Sequence, residues 1–425
     1  MPHETPLIAT IVIGLSLAFL LGLLAHRLKL PMIAGYLLAG IIIGPFTPGY
    51  VANQELATEL AELGVILLMF GVGLHFSLKD LLAVKNIAIP GAIGQILVAT
   101  AAGLALALVM GWGVGAGLIF GLSLSVASTV VLLRALQDRD LVASDRGRIA
   151  VGWLIVEDVV MVLSLVLIPP LAGLLGGLAQ PVEGEAEQEV IRLGFGPVTA
   201  TLSVTLAKFA AFVALMLIVG RKVIPWVLHY VAHTGSRELF RLAVLAIALG
   251  VAYGSSQVFG VSFALGAFFA GMVMAGSTLS QQAMRETMPL RDAFAVLFFV
   301  SVGMLFNPAI VTSAPLALIA TVLIILAVKS AAAYAIVRAF GHDRNMALTI
   351  ATSLAQIGEF SFILIVMGVK LAIVPPEAKD LVVAGAMISI LANPLLFTWL
   401  DRWTARQAAA TATADPEPTP EPAPR

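Results

Sequence analysis

Apolar stretches about as long as a bilayer is thick follow one another along almost the whole chain. They lie near 6–26, 31–48, 57–75, 87–110, 114–134, 148–173, 198–220, 239–254, 258–277, 290–306, 314–338, 345–369 and 378–400. A helix rises about 1.5 Å per residue, so about 20 apolar residues cross a hydrocarbon core about 30 Å thick. Lipid supplies no hydrogen bonds, and runs of this length must close their own backbone bonds as helices. The expectation is an all-α polytopic membrane protein of about thirteen transmembrane helices. Composition agrees, with 60% hydrophobic and 12% charged residues, where soluble domains carry about 25% charged. Zero cysteines exclude disulfides, thiolate zinc sites and iron–sulfur clusters. The first run follows Met1-Pro2-His3-Glu4-Thr5, without a basic segment or a small-residue cleavage site, and is expected to remain as a span.

Lysine and arginine orient such a chain, because loops rich in them stay on the cytoplasmic side. With the N-terminus outside, only Arg192, Lys370 and Lys379 fall in outward loops, and only Lys208 and Lys329 fall inside spans. Every other one of the 24 basic residues then lies on the inward side. An error of one span would scramble this alternation, so an odd number of spans with the C-terminus inside is expected. The outward loop near 174–197 carries Glu183, Glu185, Glu187 and Glu189 and reads as a solvated face. The stretch 403–425, rich in Pro and Ala, reads as a disordered cytoplasmic tail.

Two halves of the chain repeat each other. "LPMIAGYLLAG" in the second span matches "VSFALGAFFAG" in the ninth, pairing Gly35 with Gly266, Ala39 with Ala270 and Gly40 with Gly271, each 231 apart. Gly73 pairs with Gly303 and Phe76 with Phe306, 230 apart, and "SLSVAST" near Ser125 resembles "TSLAQIG" near Ser353. Seven spans separate the members of each pair, so the copies cross in opposite directions. Inverted repeats mark secondary transporters, whose cargo site lies at mid-membrane where the repeats meet. The expected division is a first repeat with its acidic external loop over 1–197, a linking helix over 198–230 and a second repeat over 231–402.

Ionisable groups inside a bilayer cost at least about 2.5–3.5 kcal/mol each and mark function. "GWLIVEDVVMVL" puts Glu157 and Asp158 side by side in the sixth span. At 1.5 Å per residue Asp158 is roughly 15 Å deep, and Lys329 and Glu359 roughly 20 Å. Successive helical residues diverge by about 100°, so one acid can face a cavity while its neighbour turns to another helix. Lys329 is the cationic partner expected for the acids, either as part of the site or as a structural ion pair. Lys208 reads as a snorkelling surface side chain. Two spans look broken. One gathers Ser125, Ser128 and Thr129; the other holds Gln356, Gly358 and Glu359. Crossed half-helices would aim carbonyls and dipole ends at the site. Glu359 reads as an offset for a positive helix end, and the hydroxyls as either interhelical bonds or site oxygens. A buried carboxylate is relieved by H⁺ or by a cation such as Na⁺ or K⁺. Because one occupant excludes the other, a shared site becomes an exchanger once it faces alternate sides.

These residues resemble the monovalent cation:proton antiporter-2 family, particularly its Kef-like and YbaL-like branch. The resemblance runs over about 6–402 and is carried by "GWLIVEDVVMVL", "LSLSVASTVVL", "FGVSFALGAFFAGMVM" and "SLAQIGEFSFIL". It implies a homodimer, a mobile core moving against a scaffold, Asp158 as the cation- and proton-binding residue (the metal ligand), Lys329 as counter-charge and crossed broken helices at Ser125–Thr129 and Gln356–Glu359. The residue before the aspartate is Asp, Asn or Gln in the branches resembled and Glu157 here, which leaves stoichiometry and Na⁺/K⁺ preference open. Such proteins usually continue into a nucleotide-binding regulatory domain, which is not expected in this chain. The function expected is exchange of a monovalent cation, K⁺ slightly favoured, for protons across the bacterial inner membrane by elevator-type alternating access. A sodium-coupled organic-anion symporter and a cation channel are the alternatives. No cofactor, nucleic-acid partner or enzyme activity is expected: His3, His26, His75, His229, His233 and His342 are terminal or near helix ends and join no nucleophile–base–metal constellation.

Overall fold

The computed structural model describes residues 6–28, 30–75, 78–142, 144–178, 191–192 and 196–414. Lys29, Phe76, the glutamates of the acidic loop and residues 415–425 lie outside the described residues. Every stretch read above as an apolar span contains helix, and turns or short extended breaks join the helices. In chain order the helices are α1 (Pro6–Arg27), α2 (Met32–Ile42), α3 (Gln54–His75), α4 (Leu78–Val109), α5 (Val114–Ser125), α6 (Thr129–Gln137), α7 (Asp145–Leu171), α8 (Pro197–Leu215), α9 (Arg221–Ala232), α10 (Arg237–Phe259), α11 (Phe263–Ala275), α12 (Ser280–Met304), α13 (Ile310–Ser313), α14 (Pro315–Leu323), α15 (Lys329–Ala339), α16 (Arg344–Ser353), α17 (Glu359–Lys370) and α18 (Pro376–Ala414). Single π-helical turns, Met216–Gly220 and Ile324–Val328, join α8 to α9 and α14 to α15. Among the described residues, nine helices are long and apolar enough to cross a membrane, judged by length and composition.

Local chemistry sets the ends. Ser144, Ser236 and Ser262 cap α7, α10 and α11 by accepting a backbone N–H, and Asp343 caps α16 by accepting two. Gly260 closes α10 in the left-handed conformation, φ 65°, which only glycine adopts without penalty. Two boundaries differ from the expected ones. The second span ends at Ile42, not 48, because Gly44-Pro45 cannot continue a helix. The last helix runs to Ala414, so 403–414, expected as disordered tail, is helical. Its Ala-rich sequence has high helix propensity, and Pro enters only beyond it.

The halves associate as an inverted repeat should. Helix α2 packs along α12, and α11 along α3. The contacts are reciprocal at the paired glycines. A Cβ on Gly40 would overlap the Val300 carbonyl and meet Gly303, whereas one on Gly271 would overlap the Phe70 carbonyl and meet Gly73. The repeat exchanges Gly40 with Gly271 and Gly303 with Gly73, so each contact is the image of the other. Main chain meets main chain there, as small residues allow between membrane helices. Around this frame α4, α5, α6 and α7 pack with α14–α18. One apolar cluster ties them: Ile87 and Ala92 of α4, Leu132 and Leu136 of α6, Trp153 of α7 and Ile350 of α16.

Candidate functional site

Asp158 stands near the middle of α7, as its depth in the sequence required. Helix α5 ends at Ser125, and the extended Val126 (φ −102°, ψ 129°) carries the chain to α6. Helix α16 ends at Ser353, and the chain resumes as helix only after an extended Gly358. The two breaks cross at Ser128 and Gly358. A Cβ on Gly358 would come within 2.5 Å of Ser128 Cα, so only glycine lets the chains approach so closely.

A break in a membrane helix strands peptide groups that lipid cannot satisfy. Side chains from neighbouring elements take them up. Ser128 N–H donates to Gln356 Oε1 at 2.7 Å, and Gln356 Nε2 donates back to the Ser128 carbonyl at 3.2 Å. One amide side chain thus pairs with both peptide groups of a residue, much as a neighbouring strand would. Ala127 N–H donates to Glu157 Oε2 at 2.8 Å. Lys329 Nζ donates to the Gln356 carbonyl at 2.9 Å. Gln95 Nε2, from α4, donates to the Ser125 carbonyl at 2.8 Å, and Trp153 Nε1 donates to Gln95 Oε1 at 3.3 Å.

The acids sit where half-helices begin. Ser128 caps α6 through Val131 N–H and donates its hydroxyl to Glu359 Oε2 at 3.1 Å. Thr129, first residue of α6, donates to Asp158 Oδ2 at 3.3 Å, and Glu359 is the first residue of α17. Both positive helix ends therefore carry a carboxylate and both broken C-terminal ends a donor, which suits the helix dipole at each end. All four charged groups are buried: Glu157 and Lys329 are 0% exposed, Glu359 1% and Asp158 4%. One oxygen of each acid (Glu157 Oε1, Asp158 Oδ1, Glu359 Oε1) and the Ser361 hydroxyl have no hydrogen-bond partner among the described residues. Buried polar atoms are rarely left so, and oxygens of this kind suit a proton or a dehydrated cation. Among the described residues no three His, Cys, Asp or Glu side chains converge as a metal cluster.

The structure brings together Ser128, Thr129, Gln356, Glu359, Glu157, Asp158 and Lys329, with two changes of detail. The hydroxyl of Ser125 bonds Leu122 O within its own helix, so Ser125 joins the site through its carbonyl. Among the described residues Lys329 forms no ion pair with Asp158; its bonded partner is the Gln356 carbonyl. The π-turn Ile324–Val328 immediately precedes Lys329, the first residue of α15. Lys208 is exposed on α8. Gln95 and Trp153 were missed in the sequence, although Gln95 is the one amide between Ile87 and Val109.

The fold and sequence have known counterparts. The family model described as the sodium/hydrogen exchanger, transmembrane, matches residues 15–403. The chain is 59% identical over 406 residues to YbaL of Escherichia coli (strain K12), assigned by name as a cation/proton antiporter, covering 96% of this chain and 70% of YbaL. It is 32% identical over 369 residues to K(+) efflux antiporter 4 of Arabidopsis thaliana, covering 86% of this chain and 59% of that protein. The sodium proton antiporter MjNhaP1 of Methanocaldococcus jannaschii has the same fold, with TM-score 0.69, 16% identity and coverage of 93% of this chain and 98% of that one. With that fold, the crossed half-helices and a family match over nearly its whole length, the chain belongs to the sodium/hydrogen exchanger family and is a cation/proton antiporter of its monovalent cation:proton antiporter-2 division.

Proposed function

We propose that this antiporter exchanges K⁺, in preference to Na⁺, for protons across the bacterial inner membrane, with thirteen crossings, the N-terminus outside and the C-terminus inside. Asp158 is the shared carrier. It holds either a proton or the cation, and the partnerless Oδ1, buried at the crossing of the half-helices, is the observation that carries this reading. Glu157 is its coupled neighbour, and Lys329 supplies the balancing positive charge. Of the oxygens near the breaks, Thr129, Ser128, Gln356 and Glu359 hold the crossing in register and Asp158 takes the cargo. K⁺ is favoured because the Arabidopsis relative is named for K⁺ efflux. Alternating access is of the elevator kind, with α4–α7 and α14–α18 sliding against the glycine-packed frame of α2, α3, α11 and α12, and two chains pair through the frame side. The protein carries its cargo unchanged and needs no cofactor.

The test is fluorescence dequenching in proteoliposomes, scanned over Na⁺, K⁺ and Li⁺, with and without an imposed voltage. Cation-driven proton movement is expected in the wild type and its loss in Asp158→Asn, with the variant still folded by size-exclusion profile. Exchange retained by Asp158→Asn rejects the site. Cation flux without proton counter-movement selects a channel, and organic-anion uptake coupled to Na⁺ selects a symporter.

A further inference from the structure

Each repeat solves the same problem at its break with a different donor. In the second repeat, Lys329 comes from the helix that precedes the broken pair α16/α17 and donates to the Gln356 carbonyl at 2.9 Å. In the first, Gln95 comes from α4, the helix that precedes the broken pair α5/α6, and donates to the Ser125 carbonyl at 2.8 Å. Ser125 is the last residue of α5, and Gln356 lies three residues beyond Ser353, the last residue of α16. Both donors are 0% exposed. One break is thus closed by an ammonium and its image by a neutral amide.

Gln95 has a second task. Its Oε1 accepts from Trp153 Nε1, and Trp153 lies one helical turn before Glu157 on α7. Glu157 in turn accepts from Ala127, two residues beyond the carbonyl that Gln95 holds. Gln95, Trp153, Glu157 and the peptide groups of 125–127 therefore form one closed circuit around the first break. The circuit ends beside Asp158, Glu157's neighbour, and beside Thr129, which bonds Asp158.

We propose that Gln95 is a positioning residue of the exchange site, the uncharged counterpart in the first repeat of Lys329 in the second. It fixes the main chain of the first break and, through Trp153, the face of α7 that bears the acids. Because its donor is neutral, the site carries one ammonium where a symmetric pair would carry two, and the acids are balanced from the second repeat only. This role rests on Asp158 being the carrier.

The test separates the two ideas. Wild type, Asp158→Asn, Gln95→Met and Gln95→Lys are compared in proteoliposomes, reading the K⁺ concentration at half-maximal exchange apart from the maximal rate. Gln95→Met keeps the volume but loses both bonds. It is expected to raise the half-maximal concentration by at least about fivefold, since one lost hydrogen bond is already on that scale, with its thermal unfolding still cooperative. Gln95→Lys keeps a donor for the Ser125 carbonyl but adds a second buried ammonium beside the first break, and is expected to fold yet to weaken K⁺ apparent affinity by a similar factor. Wild-type half-maximal concentrations in either folded variant overturn the assignment. So does a failure of both to fold, which would make Gln95 a stability residue. A silent wild type, or an active Asp158→Asn, would instead sink the carrier reading and this role with it.

Discussion

Glu157 uses one carboxylate oxygen to accept the Ala127 N–H, and its other oxygen has no protein partner among the described residues. The two tasks can be separated by substitution. Glu157→Gln keeps an oxygen for Ala127 and removes a buried negative charge beside Asp158, so exchange is expected to change in ion coupling while the thermal midpoint moves little. Glu157→Leu strands the buried Ala127 N–H and is expected to cost about 1–3 kcal/mol of stability. Thermal unfolding in detergent, run beside voltage-dependent exchange, checks both, and equal stability of the two variants would reject the backbone-holding role. At this scale the sequence was legible wherever charge met lipid: Asp158, Glu157, Lys329 and Glu359 stand out because each is costly in an apolar run. Gln95 and Trp153 were not legible. A single amide in a membrane helix commonly bonds a neighbouring helix without further consequence, and only the fold shows that this neighbour is a broken one. The bond of Lys329 to the Gln356 carbonyl was not legible for a related reason, since charge suggests carboxylates and a sequence does not reveal a stranded carbonyl.

Helix α6 is short enough that its stability comes from what it touches. Its N-terminus is held at the crossing, and near its other end Arg139 forms an ion pair with Asp401 of α18 at 3.0 Å, its guanidinium 4.4 Å from the Phe397 ring. Arg344, first residue of α16, lies likewise over Trp403 of α18, at 4.3 Å. These contacts are partly exposed, so Arg139→Ala is expected to cost no more than about 1 kcal/mol. The crossing is less forgiving. Gly358→Ala drives a methyl against the Ser128 backbone, and a loss of about 1–3 kcal/mol together with exchange is expected. Chemical denaturation of the two variants side by side checks the ranking, which a larger effect at Arg139 would invert. The breaks themselves were readable from Ser/Thr and Gln-Ile-Gly clusters inside apolar runs. The early stop of α2 and the helical continuation to Ala414 were misjudged because hydropathy alone is blind to a Gly-Pro stop and to an Ala-rich continuation.

Across the whole molecule the glycine-packed frame and the bundle that carries the crossing meet along α2 and α18. The chain has no cysteine of its own, so a pair introduced across that boundary would be the only thiols present. Oxidation of such a pair is expected to stop exchange and reduction to restore it, and unaltered exchange at complete cross-linking would reject sliding of one part past the other. The inverted organisation was legible from repeated glycines because those positions admit no side chain. What could not be read was which repeat would supply the ammonium and which the amide.

Much of the bonding at the crossing is made by peptide groups: the C=O of Ser125, the N–H of Ala127, both groups of Ser128 and the C=O of Gln356. Substitution rewrites side chains and leaves those groups in place. The bonding at the crossing is therefore reached by mutation at a distance, in the four side chains on other helices or turns that bond those peptides.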